Sequence, residues 1–192
     1  MSFEIIALAT SAGGLKALSE ILAHLPEYFP VPIVVVQHLD PRHSSLLAHI
    51  LSRCTSLKVK EAEENDRPLA GHVYIAPPNH HLLVTDQKTL TLSQSPEVRF
   101  LRPSANVLFE SIAKVYQDKA IAVVLTGTGT DGLLGSQLIH AQGGMILAQS
   151  EESCEFSGMP KATIEADIVD QIVPLTEIAA TLIQLTMPEL TP

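Results

Sequence analysis

Three side chains whose types could carry out acyl transfer each follow an apolar run of strand length. They are Ser11, His38 and Asp131, the last of which lies in a glycine-rich turn. A serine attacks a carbonyl carbon when a histidine takes its proton and an acid orients that histidine. In an open α/β sheet, ligands bind beyond the carboxyl ends of the strands, which is where these residues fall. The spacing therefore predicts a Ser-His-Asp site at one edge of one sheet.

Each of these residues also has a simpler interpretation. Ser11 stands in a small-residue turn before a helical pattern, where serines commonly cap the helix, and Asp131 could cap the helix that begins near Gly132. A histidine at the end of a strand more often has a structural role than a catalytic one. Taken singly, the simpler roles are favoured. Their occurrence together at one sheet edge favours catalysis.

A dinucleotide site is the alternative. The turn 127–132 reads G-x-G-x-x-G between a strand and a helix, and Glu151 and Glu152 follow about 20 residues later, where an acid could bind a ribose. However, this fingerprint usually opens the first βαβ unit of a sheet. In addition, Asp131 would place a carboxylate beside the pyrophosphate. The motif therefore stays open only as a second hypothesis.

The sequence predicts neither a metal site nor another cofactor. His80 and His81 are adjacent, so they point to opposite sides of a strand, and no HxxxH or HxE pattern supplies a coordinating face. Cys54 and Cys154 stand outside any CxxC pattern and are interpreted as reduced thiols.

The composition predicts one domain over residues 1–192, because 46% of the 192 residues are hydrophobic and no polar linker divides them. The net charge of -9 makes nucleic acid an unfavourable partner. The apolar runs are of strand length, too short to span a membrane, and the first residues lack the features of a secretory signal. We therefore expect a soluble, cytoplasmic protein.

Apolar runs alternate with helical patterns, which predicts an α/β fold with a doubly wound, mainly parallel sheet flanked by helices in a Rossmann-like three-layer arrangement. Residues 82–102 are expected to contain a β-hairpin, near residues 80–95, at an edge of the sheet, whereas 56–71 is interpreted as a loop and 188–192 as a fraying tail. The predicted strands are 5–9, 33–37, 73–76, 121–126 and 145–148, and the predicted helices are 15–24, 44–53, 105–116 and 132–142.

Six collinear segments resemble the catalytic domain of the chemotaxis protein-glutamate methylesterase (CheB) family. The resemblance covers nearly the whole chain, and three of the segments contain the residues discussed above. The segments read ALATSAGGLKAL, VVVQHLDP, YIAPPNHHLLV, RPSANVLFESIA, VVLTGTGTDGLLG and EFSGMPKATIEA.

This resemblance implies hydrolysis of glutamate γ-methyl esters on the cytoplasmic helices of chemoreceptors, which are therefore the implied partner. In many members of the family, the same site also deamidates receptor glutamines. The resemblance implies that Ser11 is the nucleophile, His38 the general base and Asp131 the acid that orients the base. Thr128 occupies the place of a family methionine whose backbone amide faces the oxyanion. A threonine can replace it because the main-chain N–H does this work.

Further expectations concern the surroundings of the site. The backbone amides of the turn 127–129 and those near Ala12 and Gly13 are expected to receive the oxyanion. Segments 39–45, 77–81 and 153–160 are expected to form the walls of a substrate groove. The chain reads ATSAGG where the family usually reads GAS[TA]GG, and nothing precedes the first strand, so we expect no N-terminal receiver domain. A non-catalytic receptor-binding module of the same fold remains a further alternative.

Overall fold

A computed structural model describes residues 2–38 and 45–187 of the chain. These residues form nine strands and six α-helices, which alternate except between the second and third helices, where four strands follow one another. The strands are β1 (Ile5–Thr10), β2 (Ile33–Gln37), β3 (Lys58–Glu61), β4 (His72–Ile75), β5 (His81–Val84), β6 (Leu90–Ser93), β7 (Ala120–Val124), β8 (Met145–Gln149) and β9 (Gln171–Val173). The helices are α1 (Gly14–Ala23), α2 (Leu47–Ser52), α3 (Ala105–Tyr116), α4 (Leu133–Ala141), α5 (Gly158–Glu165) and α6 (Leu175–Thr186).

Seven of the strands form one sheet in the order β3-β4-β2-β1-β7-β8-β9, and every neighbouring pair is parallel. Alternate residues of β1 face opposite layers. Ile6 and Leu8 pack with α1 and α6, whereas Ile5 and Ala7 pack with α3. This confirms the doubly wound three-layer arrangement and explains why the central strands are apolar throughout.

The order of the strands reverses at β1. From β1 the chain proceeds to β2 on one side and later returns as β7 on the other, with Ala9 paired to both Val36 and Val124. The carboxyl ends of these three strands therefore meet at one edge. This is the topological switch point at which open α/β sheets bind ligands.

The predicted strands, and three of the four predicted helices, agree with the structure to within two residues at each end. The fourth predicted helix, 44–53, is observed as α2, and its first predicted residue lies outside the described residues. The tail 188–192 and most of the predicted wall 39–45 also lie outside them.

Two expectations for the sheet were wrong. The hairpin β5–β6 is not at an edge of the main sheet but forms a separate two-stranded sheet that packs on α3 through Leu82 and Leu90. The segment 56–71 is not only a loop, because it contains β3, which pairs with β4. β3 is an edge strand whose side chains are only partly buried, and three of its four residues are charged, so no apolar run indicated a strand there.

Cys54 and Cys154 are free thiols, as expected. Within residues 2–38 and 45–187, no helix has the length and apolar character needed to cross a bilayer.

Candidate active site

The backbone fixes Ser11 and His38 beside one another at the switch point. The Ser11 N–H donates to the carbonyl of Thr126, at 3.0 Å, and the His38 N–H donates to the carbonyl of Thr10, at 3.1 Å. Gly127 approaches the serine so closely that a Cβ built on it would lie 2.8 Å from the Ser11 Cβ. The turn after β7 therefore packs against the turn after β1, and only a glycine allows this approach.

Asp131 lies under His38 and binds its ring. The distance from His38 Nε2 to Asp131 Oδ2 is 2.8 Å, and the two side chains are 11% and 4% exposed. The structure thus brings these two predicted site residues together, and their catalytic roles stay a prediction. Charge-assisted hydrogen bonds of this length are stronger than neutral ones and fix the orientation of the imidazole.

The start of α3 supplies three more donors to the same carboxylate. Ser104 Oγ donates to Oδ1 at 2.7 Å, the Ala105 N–H to Oδ2 at 2.6 Å and the Asn106 N–H to Oδ1 at 3.2 Å. Burial raises the pKa of the Asp131 carboxyl, but the hydrogen bonds from His38, Ser104 and Ala105 outweigh burial and hold this pKa below its ordinary value. Asp131 is therefore ionised wherever the neighbouring histidine can act as a base.

Asp131 does cap a helix, but not the one that follows it. The N-cap of α4 is Gly132, and it is Asn106 Oδ1 that accepts the N–H groups of Gly132, at 3.1 Å, and Gly135, at 2.9 Å. Asp131 in turn accepts the first amides of α3. Asn106 of α3 therefore caps α4, and Asp131, just before α4, caps α3. This exchange holds the Asp131 carboxylate where the two helices begin.

Ser11 does not cap α1, so its simpler interpretation was wrong. The N-cap of α1 is Gly13, in the left-handed region with φ +79°, and no side chain bonds there. Among the described residues, Ser11 Oγ has no hydrogen-bond partner, and none joins it to His38. Hydrogen bonds between a nucleophile and its base are often long before substrate binds. No side chain or backbone group of the described residues therefore competes for the hydroxyl.

Gln37 is a residue that the sequence analysis did not consider. Its Nε2 donates to the carbonyl of Ser11 and to the carbonyl of His38, each at 2.9 Å, and its side chain lies in the buried end of β2. One amide group therefore links the backbones of the two reactive residues. The signal in the sequence was a glutamine ending an otherwise apolar strand directly before His38.

The predicted oxyanion amides need one correction. The N–H of Gly127 donates to the carbonyl of Phe156, at 2.8 Å, so this amide of the turn 127–129 is already used. The amides of Ala12, Gly13, Thr128 and Gly129 donate to no group among the described residues. These four remain the candidates that could receive an oxyanion beside Ser11.

His80 and His81, at the start of the hairpin, do not form a metal site in the part of the chain that the structure describes. His81 begins β5 and is fully buried, whereas the ring of His80 contacts the carbonyl of Pro78 at 2.9 Å. No cluster of three or more His, Cys, Asp or Glu side chains able to hold a metal ion occurs within the described ranges.

Comparison with known proteins gives a consistent result. A family model described as CheB methylesterase matches residues 6–182. The chain is 43% identical, over 96% of both chains, to a Leptospira interrogans protein assigned as a protein-glutamate methylesterase/protein-glutamine glutaminase. The crystal structure of the Thermotoga maritima CheB methylesterase catalytic domain superposes with a TM-score of 0.92 at 38% identity, covering 96% of this chain and all of that one.

Other relatives are longer proteins. The chain spans 50% of protein-glutamate methylesterase/protein-glutamine glutaminase 4 of Myxococcus xanthus, to which it is 42% identical. It spans 55% of the Thermotoga maritima protein of that double name. The similarity thus covers one part of these relatives and nearly all of the Leptospira protein.

Proposed function

The chain belongs to the CheB methylesterase family, and on that basis we propose that it is a protein-glutamate methylesterase. Its substrates are glutamate γ-methyl esters on the cytoplasmic helices of chemoreceptors, and residues 1–192 form one catalytic domain that acts in the cytoplasm. The observation that carries the catalytic part of the proposal is the 2.8 Å hydrogen bond between His38 and a buried Asp131, next to Ser11, whose hydroxyl has no partner among the described residues.

The reaction begins when Ser11 Oγ attacks the ester carbonyl. His38 Nε2 is occupied by Asp131, so Nε2 carries the ring's proton and Nδ1 has the free electron pair. Nδ1 is thus the atom that takes the serine proton as the Oγ–C bond forms. Asp131 then stabilises the imidazolium without becoming protonated.

The negative charge of the tetrahedral intermediate develops on the former carbonyl oxygen. The amides of Ala12, Gly13, Thr128 and Gly129, which have no acceptor among the described residues, are the donors proposed to bind it, and the N-terminus of α1 adds a favourable field. The intermediate collapses as the bond to methoxide breaks and Nδ1 of His38 returns the proton, releasing methanol. Water, deprotonated by the same nitrogen, then hydrolyses the Ser11 acyl-enzyme.

Glutamine deamidation is the second reaction proposed for this site. Relatives carry the double name of methylesterase and glutaminase, and both reactions pass through the same glutamyl ester of a serine. In deamidation the leaving group is ammonia, so the protonation of the leaving nitrogen by His38 becomes the more demanding step.

The geometry gives less support to dinucleotide binding at the turn 127–132. A pyrophosphate would need the free amides at the start of α4, but Asn106 Oδ1 already accepts those of Gly132 and Gly135. The Gly127 amide is bonded to Phe156. A purely receptor-binding module has no chemical need for Asp131 to be held on His38.

The test is release of methanol from a chemoreceptor cytoplasmic fragment carrying glutamate γ-methyl esters. The wild-type protein is expected to release methanol from this fragment, and ammonia from a fragment with glutamine at the same positions. The His38→Gln variant is expected to release neither above background. Absence of methanol release by the folded wild type, together with stoichiometric binding of NAD, would overturn the proposal in favour of the dinucleotide hypothesis.

A further inference from the structure

His81 is a buried histidine to which the mechanism gives no part. It is 0% exposed and lies between the hairpin β5–β6 and the start of α3. The Ser104 N–H donates to His81 Nδ1, and His81 Nε2 lies near the carbonyl of Pro96, both at 3.2 Å. Because Nδ1 accepts, the ring is neutral with its proton on Nε2, which donates to Pro96.

Ser104, whose amide His81 binds, is also a ligand of the Asp131 carboxylate. Ser104 is the N-cap residue of α3, and its Oγ donates to Asp131 Oδ1 at 2.7 Å. The amide of Ala105, which follows directly, donates to Asp131 Oδ2 at 2.6 Å. The position of the Ser104 backbone therefore sets two of the donors that place Asp131 under His38.

We propose that His81 is a positioning residue for the reaction. By accepting the Ser104 amide it fixes the start of α3, and through it the Asp131 carboxylate, in the place where it orients His38. The inference rests on the proposed function, because it concerns the same site. It also gives a role to the hairpin, which forms no part of the main sheet.

The hairpin is anchored to the same segment by a second contact. The guanidinium of Arg102 donates to Asn79 Oδ1 through Nε, at 3.0 Å, and Nη2, at 2.7 Å, and to the carbonyl of Ser95 through Nη1, at 2.9 Å. Arg102 and Ser104 thus both tie the chain before α3 to the two ends of the hairpin. The hairpin therefore supports the segment whose donors bind Asp131.

The electrostatic surroundings keep the ring in the form that accepts the amide. Burial lowers the pKa of His81, and the charge of Arg102 adds to this, whereas the Pro96 carbonyl and the charges of Asp131 and Glu97 act in the opposite direction. A protonated ring would present an N–H to the Ser104 N–H and lose this hydrogen bond.

Two substitutions separate the two hydrogen bonds of His81. In His81→Asn, the side-chain oxygen can occupy the place of Nδ1 and still accept the Ser104 amide. In His81→Gln, the longer side chain can place its amide nitrogen where Nε2 lies and still donate to Pro96, but it offers no acceptor at the position of Nδ1. The pair therefore distinguishes positioning through Ser104 from simple support of the hairpin.

Methanol release from the methylated receptor fragment is measured as kcat and KM against pH. His81→Asn is expected to retain kcat within about threefold, whereas His81→Gln loses about tenfold in kcat, the equivalent of one neutral hydrogen bond. KM is unchanged in both. In His81→Gln the acid limb of the kcat/KM profile also moves to lower pH, because a displaced Asp131 stabilises the imidazolium less. Equal kcat and equal pH profiles for the two variants, or a larger loss for His81→Asn, would overturn the inference.

A measurement on the unaltered protein covers the case in which neither variant folds. The ¹⁵N chemical shifts of His81 in the wild type should report a neutral ring with its proton on Nε2 and a hydrogen-bonded Nδ1 acceptor across the pH range of activity. An imidazolium or the Nδ1–H tautomer in that range would refute the inference. This result does not depend on ester turnover, so a wild type that releases no methanol would overturn the proposed function separately.

Discussion

The acid and the nucleophile of the site are held in opposite ways. Asp131 is buried and accepts hydrogen bonds from His38, Ser104, Ala105 and Asn106. Ser11 is partly exposed, caps no helix and, among the described residues, has a hydroxyl without a partner. Asp131, which must keep its position during the reaction, is thus held at the start of two helices. Ser11, whose hydroxyl must form and break bonds, is held only through its backbone.

This difference separates the stability of the fold from the reactivity of the site. Removing an unpartnered hydroxyl takes no hydrogen bond from the folded state, whereas altering a carboxylate that satisfies buried donors does. The predictions below test this contrast, beginning with the largest effect.

Replacing Asp131 with asparagine should lower kcat by about 10⁴-fold. Both oxygens of Asp131 accept hydrogen bonds. An asparagine has only one oxygen, so its NH₂ group would face one of the N–H or O–H groups that now donate to Asp131. This repulsion would displace either the His38 ring or the start of α3. The rate of methanol release measures the effect, and Asp118→Asn, at an exposed aspartate, is the control. A loss of less than tenfold would show that His38 does not depend on the acid.

Replacing Gln37 with leucine should lower kcat about tenfold with little change in KM. The substitution removes the two hydrogen bonds that link the backbones of Ser11 and His38, and a small displacement of either residue slows attack. Gln184→Leu, at an exposed position of α6, is the matched control. If both variants keep wild-type kcat, the link between the two backbones has no catalytic role.

Replacing Asn106 with alanine should lower the free energy of unfolding by about 1–2 kcal/mol, the usual cost of losing a helix cap. The first amides of α4 would lose their acceptor. Urea denaturation measures the change. Glu110→Ala, at an exposed position of α3, should change the stability by less than about 0.5 kcal/mol. Equal stabilities of the two variants would argue against the exchange of caps between the helices.

The lowered pKa of Asp131 should also make the stability of the fold depend slightly on pH. The folded-state pKa of Asp131 lies below its ordinary value of 3.8, so the unfolded chain binds the proton first as the pH falls. The stability contributed by this carboxylate is present above that value and is lost as the pH falls through the folded-state pKa. Wild type should therefore lose stability more steeply below pH 3.8 than Asp131→Asn does. Parallel losses would show that Asp131 is not the group responsible.

Much of the fold could be predicted because the central strands are buried on both faces and are apolar without interruption. The same pattern identified the strand ends and therefore placed Ser11, His38 and Asp131 at one edge. The edge strand β3 was missed because its side chains are only partly buried and three of its four residues are charged. The hairpin was recognised from its alternation, but alternation does not specify the surface on which a hairpin packs.

The support of the site could not be predicted in the same way. A cap was expected from a residue next to its own helix, but Asp131 caps α3 and Asn106 caps α4, across about 25 residues of sequence. Such pairings depend on how the two helices meet, which no local pattern contains. The roles of Gln37 and His81 likewise depend on atoms brought together only by the tertiary fold.

The central claim is that Ser11 is the nucleophile, and the most direct test is Ser11→Ala assayed for methanol release beside a measurement of its stability. We expect a loss of at least about 10⁴-fold in kcat. We also expect a free energy of unfolding within about 0.5 kcal/mol of wild type, because the hydroxyl has no hydrogen-bond partner among the described residues. Turnover within tenfold of wild type by a folded Ser11→Ala variant would contradict the claim.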